Sequence, residues 1–477
     1  MISSNIMFAQ DKTEEKEKKE KSNKNLPIKP GRFYDLNTDT GSWMSLDVSP
    51  DGQTIVFDLL GDIYSIPISG GKAKRITKGM AFDSHPKYSP DGESIVYVSD
   101  KSGGNNVWIR DLSSNDSIQI TKEKDNQTAF ADWSKDGDYL IVSKGRRNLK
   151  LHMYHKDGGS GVKLIDKPSS LKIVQPEVGV NDRYIWYANR TNSWQYNAGL
   201  PQYQISKYDR ETGEIKRETS RFGSAFTPTL SPDGKSLVYG TRYEDKTALR
   251  IRNLETGYEK WLAFPVQKDD QESQATMGVL PNMAFTPDSK NLILSYGGKI
   301  NKIDINEGKS YEIPFQINET IEVGPELKFD YEISDEKSMI VNQIRNPSVS
   351  PDNKKITFTA LNKLYLMDLD SNQLTRLTSF EDETIEAMPD WSPDGKEIVF
   401  VTWNDNKGGS LFKVRSDGKK EPLLLTQSNE RRINGVYMNP KWNPSGDRIV
   451  FTIGDARNYR GSEGTGAFKS NEKIMWI

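Results

Sequence analysis

Apolar positions along this chain come in short runs and not at helical spacing. Ile55-Val56-Phe57, Ile95-Val96-Tyr97 and Ile185-Trp186-Tyr187 are each apolar throughout. That pattern predicts short strands covered on both faces by neighbouring sheets. A four-residue turn precedes each run, Ser49-Pro50-Asp51-Gly52 and Ser89-Pro90-Asp91-Gly92 in the first two cases. Proline fixes φ, the aspartate bonds to nearby backbone amides, and glycine tolerates the exit geometry. An alternating third strand follows, as in Leu364-Tyr365-Leu366-Met367-Asp368-Leu369, then a Gly- or Asn-containing turn. A fourth strand ends the unit in Ile-Thr or Leu-Thr, as at Ile76-Thr77 and Ile120-Thr121. No segment of comparable strength shows the period of a helix.

The unit recurs from Ser231-Pro232-Asp233-Gly234 and Ser392-Pro393-Asp394-Gly395. Weaker copies begin at Ser134, Thr286, Ser350 and Asn443, and a degenerate one, Gly179-Val180-Asn181-Asp182, leads into Ile185. These make nine units, about 40 to 64 residues apart. Four antiparallel strands in 40-odd residues are one propeller blade, so the predicted fold is an all-β propeller of four-stranded blades. Nine blades exceed the roughly four to eight of one ring. The reading therefore places a six-unit ring over residues 41–315 and a connecting segment over 316–345, with Glu319, Glu322, Glu326 and Asp330. Residues 346–477 then hold three units of a second propeller; one larger ring is the alternative. Lys473-Ile474-Met475-Trp476-Ile477 aligns with the third strand at Asn106–Arg110. The expectation is thus a fragment of a longer protein, stopped within its last blade.

Composition narrows the chemistry. The 477 residues contain no cysteine and three histidines, and the formal charge is −2. Disulfides, thiolate metal sites and cysteine nucleophiles are excluded, and nothing points to nucleic acid. Ile6-Met7-Phe8-Ala9-Gln10 reads as the end of a signal peptide, so residues 1–10 are taken as its remnant and the protein as exported, periplasmic or extracellular. Residues 11–40, rich in Lys and Glu up to Lys24, read as a charged linker. No stretch approaches a membrane-spanning length.

Catalytic patterns are not found. His152 and His155 lie three apart on a strand and point to opposite faces, which does not suit a metal pair. No serine has the Gly-x-Ser-x-Gly spacing of a nucleophile elbow. Gly234-Lys235-Ser236 and Gly308-Lys309-Ser310 lack the upstream glycine of a phosphate loop. Glu381-Asp382-Glu383 lacks the alternating spacing of a calcium loop and reads as a solvated turn. No catalytic, cofactor or metal residue is assigned. Four residues are candidates for a contact surface. His85, before Pro86, opens an innermost strand, and Trp194, Tyr196 and Tyr203 lie in an insertion over 189–204. Gly-rich extensions at 402–410 and 455–468 are further candidate rims.

The Ser-Pro-Asp-Gly units resemble the TolB-like propeller family over nearly the whole chain after residue 40. Gln343-Ile344-Arg345-Asn346-Pro347, Phe358-Thr359-Ala360-Leu361 and Phe400-Val401-Thr402-Trp403-Asn404-Asp405, with Gly408-Gly409, look like the propeller half of exported bacterial amidohydrolases. Asn189-Arg190-Thr191 and Trp194-Gln195-Tyr196 add to that likeness. The resemblance implies a substrate-gating or docking module, with a divalent metal and the chemistry on a C-terminal hydrolase domain missing from this chain. None of that family's metal-ligand motifs has a matching position here. Two alternatives are the propeller of a prolyl oligopeptidase-like or tricorn-like serine peptidase and a stand-alone periplasmic scaffold for peptides or proteins.

Overall fold

In a computed structural model of the chain, the described residues run from 29 to 477, except 125–126, 193–199, 244–245, 269–270, 272–277, 327–331, 333, 406, 427–434 and 455–471. They form strands and turns and no helix. The described residues divide into two compact units, one from residues 29–192 with 201–326 and the other from residue 200 with 332–477. The first unit holds six four-stranded sheets and a three-stranded one; the second holds two four-stranded sheets and one of three strands. In each of the nine repeat sheets the strands are antiparallel and follow chain order. The all-β propeller architecture read from the repeat is the architecture observed, and we number the sheets blades 1 to 9.

Blades 1 to 6 begin with the strands Leu46–Val48, Asp83–Tyr88, Gln127–Trp133, Lys172–Val178, Phe226–Leu230 and Ala284–Phe285. Each of these first strands touches those of both neighbouring blades, and that of blade 6 touches that of blade 1. Six blades therefore close a ring about an axis lined by first strands. In the second unit the first strands Ile344–Val349, Ile385–Trp391 and Val436–Trp442 follow one another in the same way.

The apolar runs sit in second strands, and their alternation divides them between two interfaces. Ile55 and Phe57 face blade 6, whereas Val56 faces blade 2. Ile95 and Tyr97 pack towards blade 1 and Val96 towards blade 3. Leu140 and Val142 join blade 2, and Ile141 joins blade 4. A strand sandwiched in this way has no polar face, which is why the runs carry no alternation.

The turns also bind blade to blade. Ser49 Oγ donates to Asp51 Oδ1 at 2.5 Å and accepts from Thr54 N at 2.9 Å, while Gln53 N donates to the same Asp51 oxygen. Gly52 has φ +71°, and an added Cβ would lie 3.2 Å from Pro287 of blade 6. Gly92 lies likewise against Pro50, and Gly137 against Pro90. The threonine at the end of the unit has its own physical reason. Thr77, Thr121 and Thr219 Oγ1 accept from Ile63 N, Val107 N and Ile205 N at 2.8–2.9 Å, where each third strand starts.

One element departs from the sequence reading. Arg32–Thr38, placed in the charged linker, and Phe315–Val323, mostly in the connecting segment, pair antiparallel from Arg32↔Val323 to Thr38↔Ile317. Phe315 and Gln316 also pair with Gly71 and Lys72 of blade 1. Arg75 Nη2 clips this strap, 2.7 Å from Asp62 Oδ2 and 2.6 Å from Glu322 Oε2. Leu36, Ile317 and Ile321 join the core between blades 1 and 6. Leu36 is the one buried residue in the first of these strands, too few to show a period.

Candidate functional site: a blind pocket on the ring axis

Three residues before the first position of the turn, blades 2, 4 and 5 carry Pro86, Pro176 and Pro228, and blades 7 to 9 carry Pro347, Pro389 and Pro440. The residue before each proline has a positive φ: His85 54°, Gln175 50°, Thr227 52°, Asn346 50°, Met388 55° and Asn439 50°. The strand pairing skips at all six places. Proline offers no N–H to the ladder, so the strand bulges there and its side chains are re-aimed.

In unit 1 the bulges produce two layers across the axis. Four residues before the turn stand Ser45, His85, Phe130, Gln175, Thr227 and Asn282, one from each blade and none more than 8% exposed. Ser45 Oγ lies 3.0 Å from His85 Nδ1 and accepts from Asn282 N at 3.2 Å. The His85 ring packs 4.7 Å from that of Phe130. Thr227 Oγ1 donates to Gln175 Oε1 at 2.8 Å, and Gln175 Nε2 donates to Leu280 O at 2.9 Å. Gly278 lies over this layer at φ +84°, where a Cβ would come within 3.1 Å of Gln175 and 3.2 Å of Phe130. These six residues plug the axis. About 10 Å³ remains beside the plug, room for no more than one water.

Two residues further along, Asp47, Lys87, Asp132, Glu177, Thr229 and Ala284 form the second layer, which lines a cavity of about 380 Å³. The second turn residues, Pro50, Pro90, Lys135, Val180, Pro232 and Pro287, make its rim. Closed by the plug and open at the turns, this is a blind pocket. Lys87 Nζ lies 3.0 Å from Asp132 Oδ1 and 2.7 Å from Glu177 Oε2. Burial opposes the Lys87 ammonium, but Asp132, Glu177 and Asp47 outweigh it and hold its pKa above the ordinary lysine value. Burial raises Asp47 to about 6 and also raises Glu177, each partly offset by Lys87. The charges tie blades together as well. Asp47 Oδ2 accepts from Tyr88 N at 2.8 Å and Asp132 Oδ2 from Val178 N at 2.7 Å. Asp390, at the same repeat position in blade 8, accepts from Trp442 N at 2.9 Å and pairs with Lys441 at 2.6 Å.

Of the sequence candidates, His85 belongs to the plug. It is 3% exposed, and burial lowers its pKa to about 4, so the ring is neutral. Asp58 accepts from Ser45 N at 2.8 Å and His85 N at 2.7 Å. Serine, histidine and aspartate thus meet, but Asp58 holds backbone amides and all three are buried, which is no hydrolytic triad. Tyr203 is 3% exposed in the core, under Arg190, and is not displayed for contact. Trp194 and Tyr196 lie outside the described residues, as does the whole 455–468 extension. His152 is buried on its strand and His155 faces outward. At Glu381-Asp382-Glu383, the carbonyls of Glu381 and Asp382, with that of Thr384, receive the Lys363 ammonium. The 402–410 extension is mostly strand, the ends of a long hairpin paired from Glu397↔Arg415 to Asn404↔Gly408. Among the described residues no three histidine or carboxylate side chains are grouped to hold a metal ion.

Residues 28–197 match the family model of the TolB beta propeller domain. Over 280 residues the chain is 23% identical to the Tol-Pal system protein TolB of Francisella tularensis, covering 57% of this chain and 54% of that protein. Over 102 residues it is 27% identical to Tricorn protease homolog 1 of Streptomyces coelicolor, covering 21% of this chain and 10% of the other. The chain thus spans about half of one curated relative and a tenth of the other. The crystal structure of TolB from Acinetobacter baumannii superimposes with a TM-score of 0.43 at 17% identity, covering 58% of this chain and 65% of that one. The chain is thus a propeller of repeated four-stranded blades whose residues 28–197 are similar to the TolB beta propeller domain.

Proposed function

We propose that the chain is a non-catalytic docking module of an exported hydrolase, and that unit 1 receives a polypeptide segment or partner domain at its blind pocket. The plug carries this reading. A gate that passes substrate along the axis needs an open channel, whereas six buried residues fill this one. A concave pocket with an apolar rim and a few fixed charges suits recognition. The residue likeness described above favours a metal-dependent amidohydrolase as the hydrolase, with the divalent metal on its hydrolase domain. The 27% identity over 102 residues to Tricorn protease homolog 1 favours a serine peptidase as the second reading. A relative named for the Tol-Pal system is consistent with protein partners in either case.

The purified chain, supplied with zinc or manganese, is expected to bind peptides at the pocket and hydrolyse none of them. Turnover that co-purifies with the chain and survives removal of contaminating hydrolases overturns the docking role. Sequencing the coding region on both sides separates the two enzyme readings. A barrel with His-x-His in the same frame supports the first, and a Gly-x-Ser-x-Gly domain the second.

A further inference from the structure

The pocket's charge is unbalanced. Three carboxylates, Asp47, Asp132 and Glu177, surround a single inward-facing ammonium, that of Lys87. Lys135 also lies at the pocket, on the exposed rim, and its charge reaches Glu177; counting it, three carboxylates still face two ammonium groups. Both of the short ion-pair contacts of Lys87 go to Asp132 and Glu177, one oxygen each. Among the described residues Asp47 forms no ion pair; its Oδ2 accepts from the Tyr88 amide. The opposite wall is apolar, with Leu230, Met283, Ala284 and Phe285 below Pro232 and Pro287. A ligand matched to this wall and this charge carries an aliphatic stem that ends in a cation. An anionic ligand would meet net negative charge in a partly desolvated site, where like charges repel strongly.

Resting on the docking reading above, we infer that the pocket accepts the guanidinium or ammonium of a basic side chain on a polypeptide, directed at Asp47 and Glu177. The stem lies along the apolar wall and the peptide backbone crosses the proline rim. Arginine is favoured over lysine, because its planar fork can meet a carboxylate with two parallel hydrogen bonds. Specificity then comes from charge and not from the plug, which has no open space for a side chain.

The test uses the full chain and three end-blocked pentapeptides with alanine flanks and a central arginine, citrulline or glutamate. Binding is followed by calorimetry. Citrulline keeps the shape of arginine and removes its charge, so the comparison needs no protein variant. The arginine peptide is expected to bind at least about ten-fold tighter than the citrulline peptide. Asp47→Asn is expected to shrink that ratio several-fold, and a thermal melt of the variant checks that it folds. Equal binding of arginine and citrulline peptides, both competing for the pocket, overturns the charge inference and leaves docking intact. Preference for glutamate overturns it too, and means that Lys87 governs the site. Failure of all three peptides at millimolar concentration overturns both readings.

Discussion

Replacing Lys87 by methionine keeps the length and apolar stem of the side chain and deletes its charge. In the native pocket Lys87 Nζ lies 3.0 and 2.7 Å from two carboxylate oxygens. At an effective dielectric near 20, each contact is worth about 5–6 kcal/mol of Coulomb energy, before desolvation and carboxylate repulsion are subtracted. Removing one partner of such a buried set costs about 3–5 kcal/mol once the others are left charged. The loss depends on pH, and its sign follows from proton binding. Without Lys87 the folded-state pKa of Glu177, already raised by burial, rises further above its unfolded value. The folded variant then binds more protons than the unfolded chain, so its stability falls as pH rises. At pH 8 the full loss of about 3–5 kcal/mol is expected. At pH 5 a carboxylate can take a proton for about 1 kcal/mol, since its unfolded pKa lies just below. Urea titrations of wild type and Lys87→Met at both pH values measure the difference. Equal destabilisation at pH 5 and pH 8 refutes the assignment of Lys87 as the cation that balances this pocket.

Three further outcomes follow from the repeat. Thr219→Val keeps shape but strips the acceptor from Ile205 N and the donor from Gln204 Oε1, so a loss of about 1–3 kcal/mol is expected in denaturant melts. Gly52→Ala and Gly137→Ala should each cost about 1–2 kcal/mol through positive φ. Gly52→Ala should cost more, because its Cβ meets Pro287 at 3.2 Å where that of Gly137 meets Pro90 at 3.7 Å; equal losses would mean that the seam between blades 6 and 1 yields freely. The His85 imidazole should stay about nine-tenths neutral from pH 8 down to pH 5, read from its ring nitrogen shifts, as its folded pKa is about 4. Because that pKa is depressed, the contribution is whole above about 6.5, the unfolded value, and fades as pH falls toward 4.

The blades were legible because their pieces are local. Ser-Pro-Asp-Gly closes its own hydrogen bonds within six residues, and Ile-Val-Phe needs only two covering sheets. Thr77 and its equivalents could be seen as a repeated ending, although their reach back to the third strand could not. The pocket was less visible, since Asp47, Lys87, Asp132 and Glu177 fall in four separate blades and differ in type. Aligning the repeats and asking where the position two before the turn becomes charged would have found them. The X-Pro bulges are present in the sequence as six dipeptides; His85-Pro86 and Asn346-Pro347 are singled out there for other reasons, and neither reads as a bulge without the strand register. Trp194 and Tyr196 were chosen for being aromatic in an insertion, and the same reasoning misplaced Tyr203, which is core.

The strap between residues 32–38 and 315–323 bears on how the ring comes into being. Asp35 and Thr320, joined side chain to side chain, are 285 positions apart, whereas each blade is a run of adjacent hairpins. Local hairpins close at small entropic cost, and a contact across that span closes last. During synthesis, blades 1 to 5 can therefore stack into an arc before the sixth emerges. Until then Ile55, Phe57 and Tyr64 lack the blade 6 and strap side chains that complete their cover. That interval is when a chaperone would have most to hold, and a protein whose Arg75 could not fasten the strap would spend longest in it.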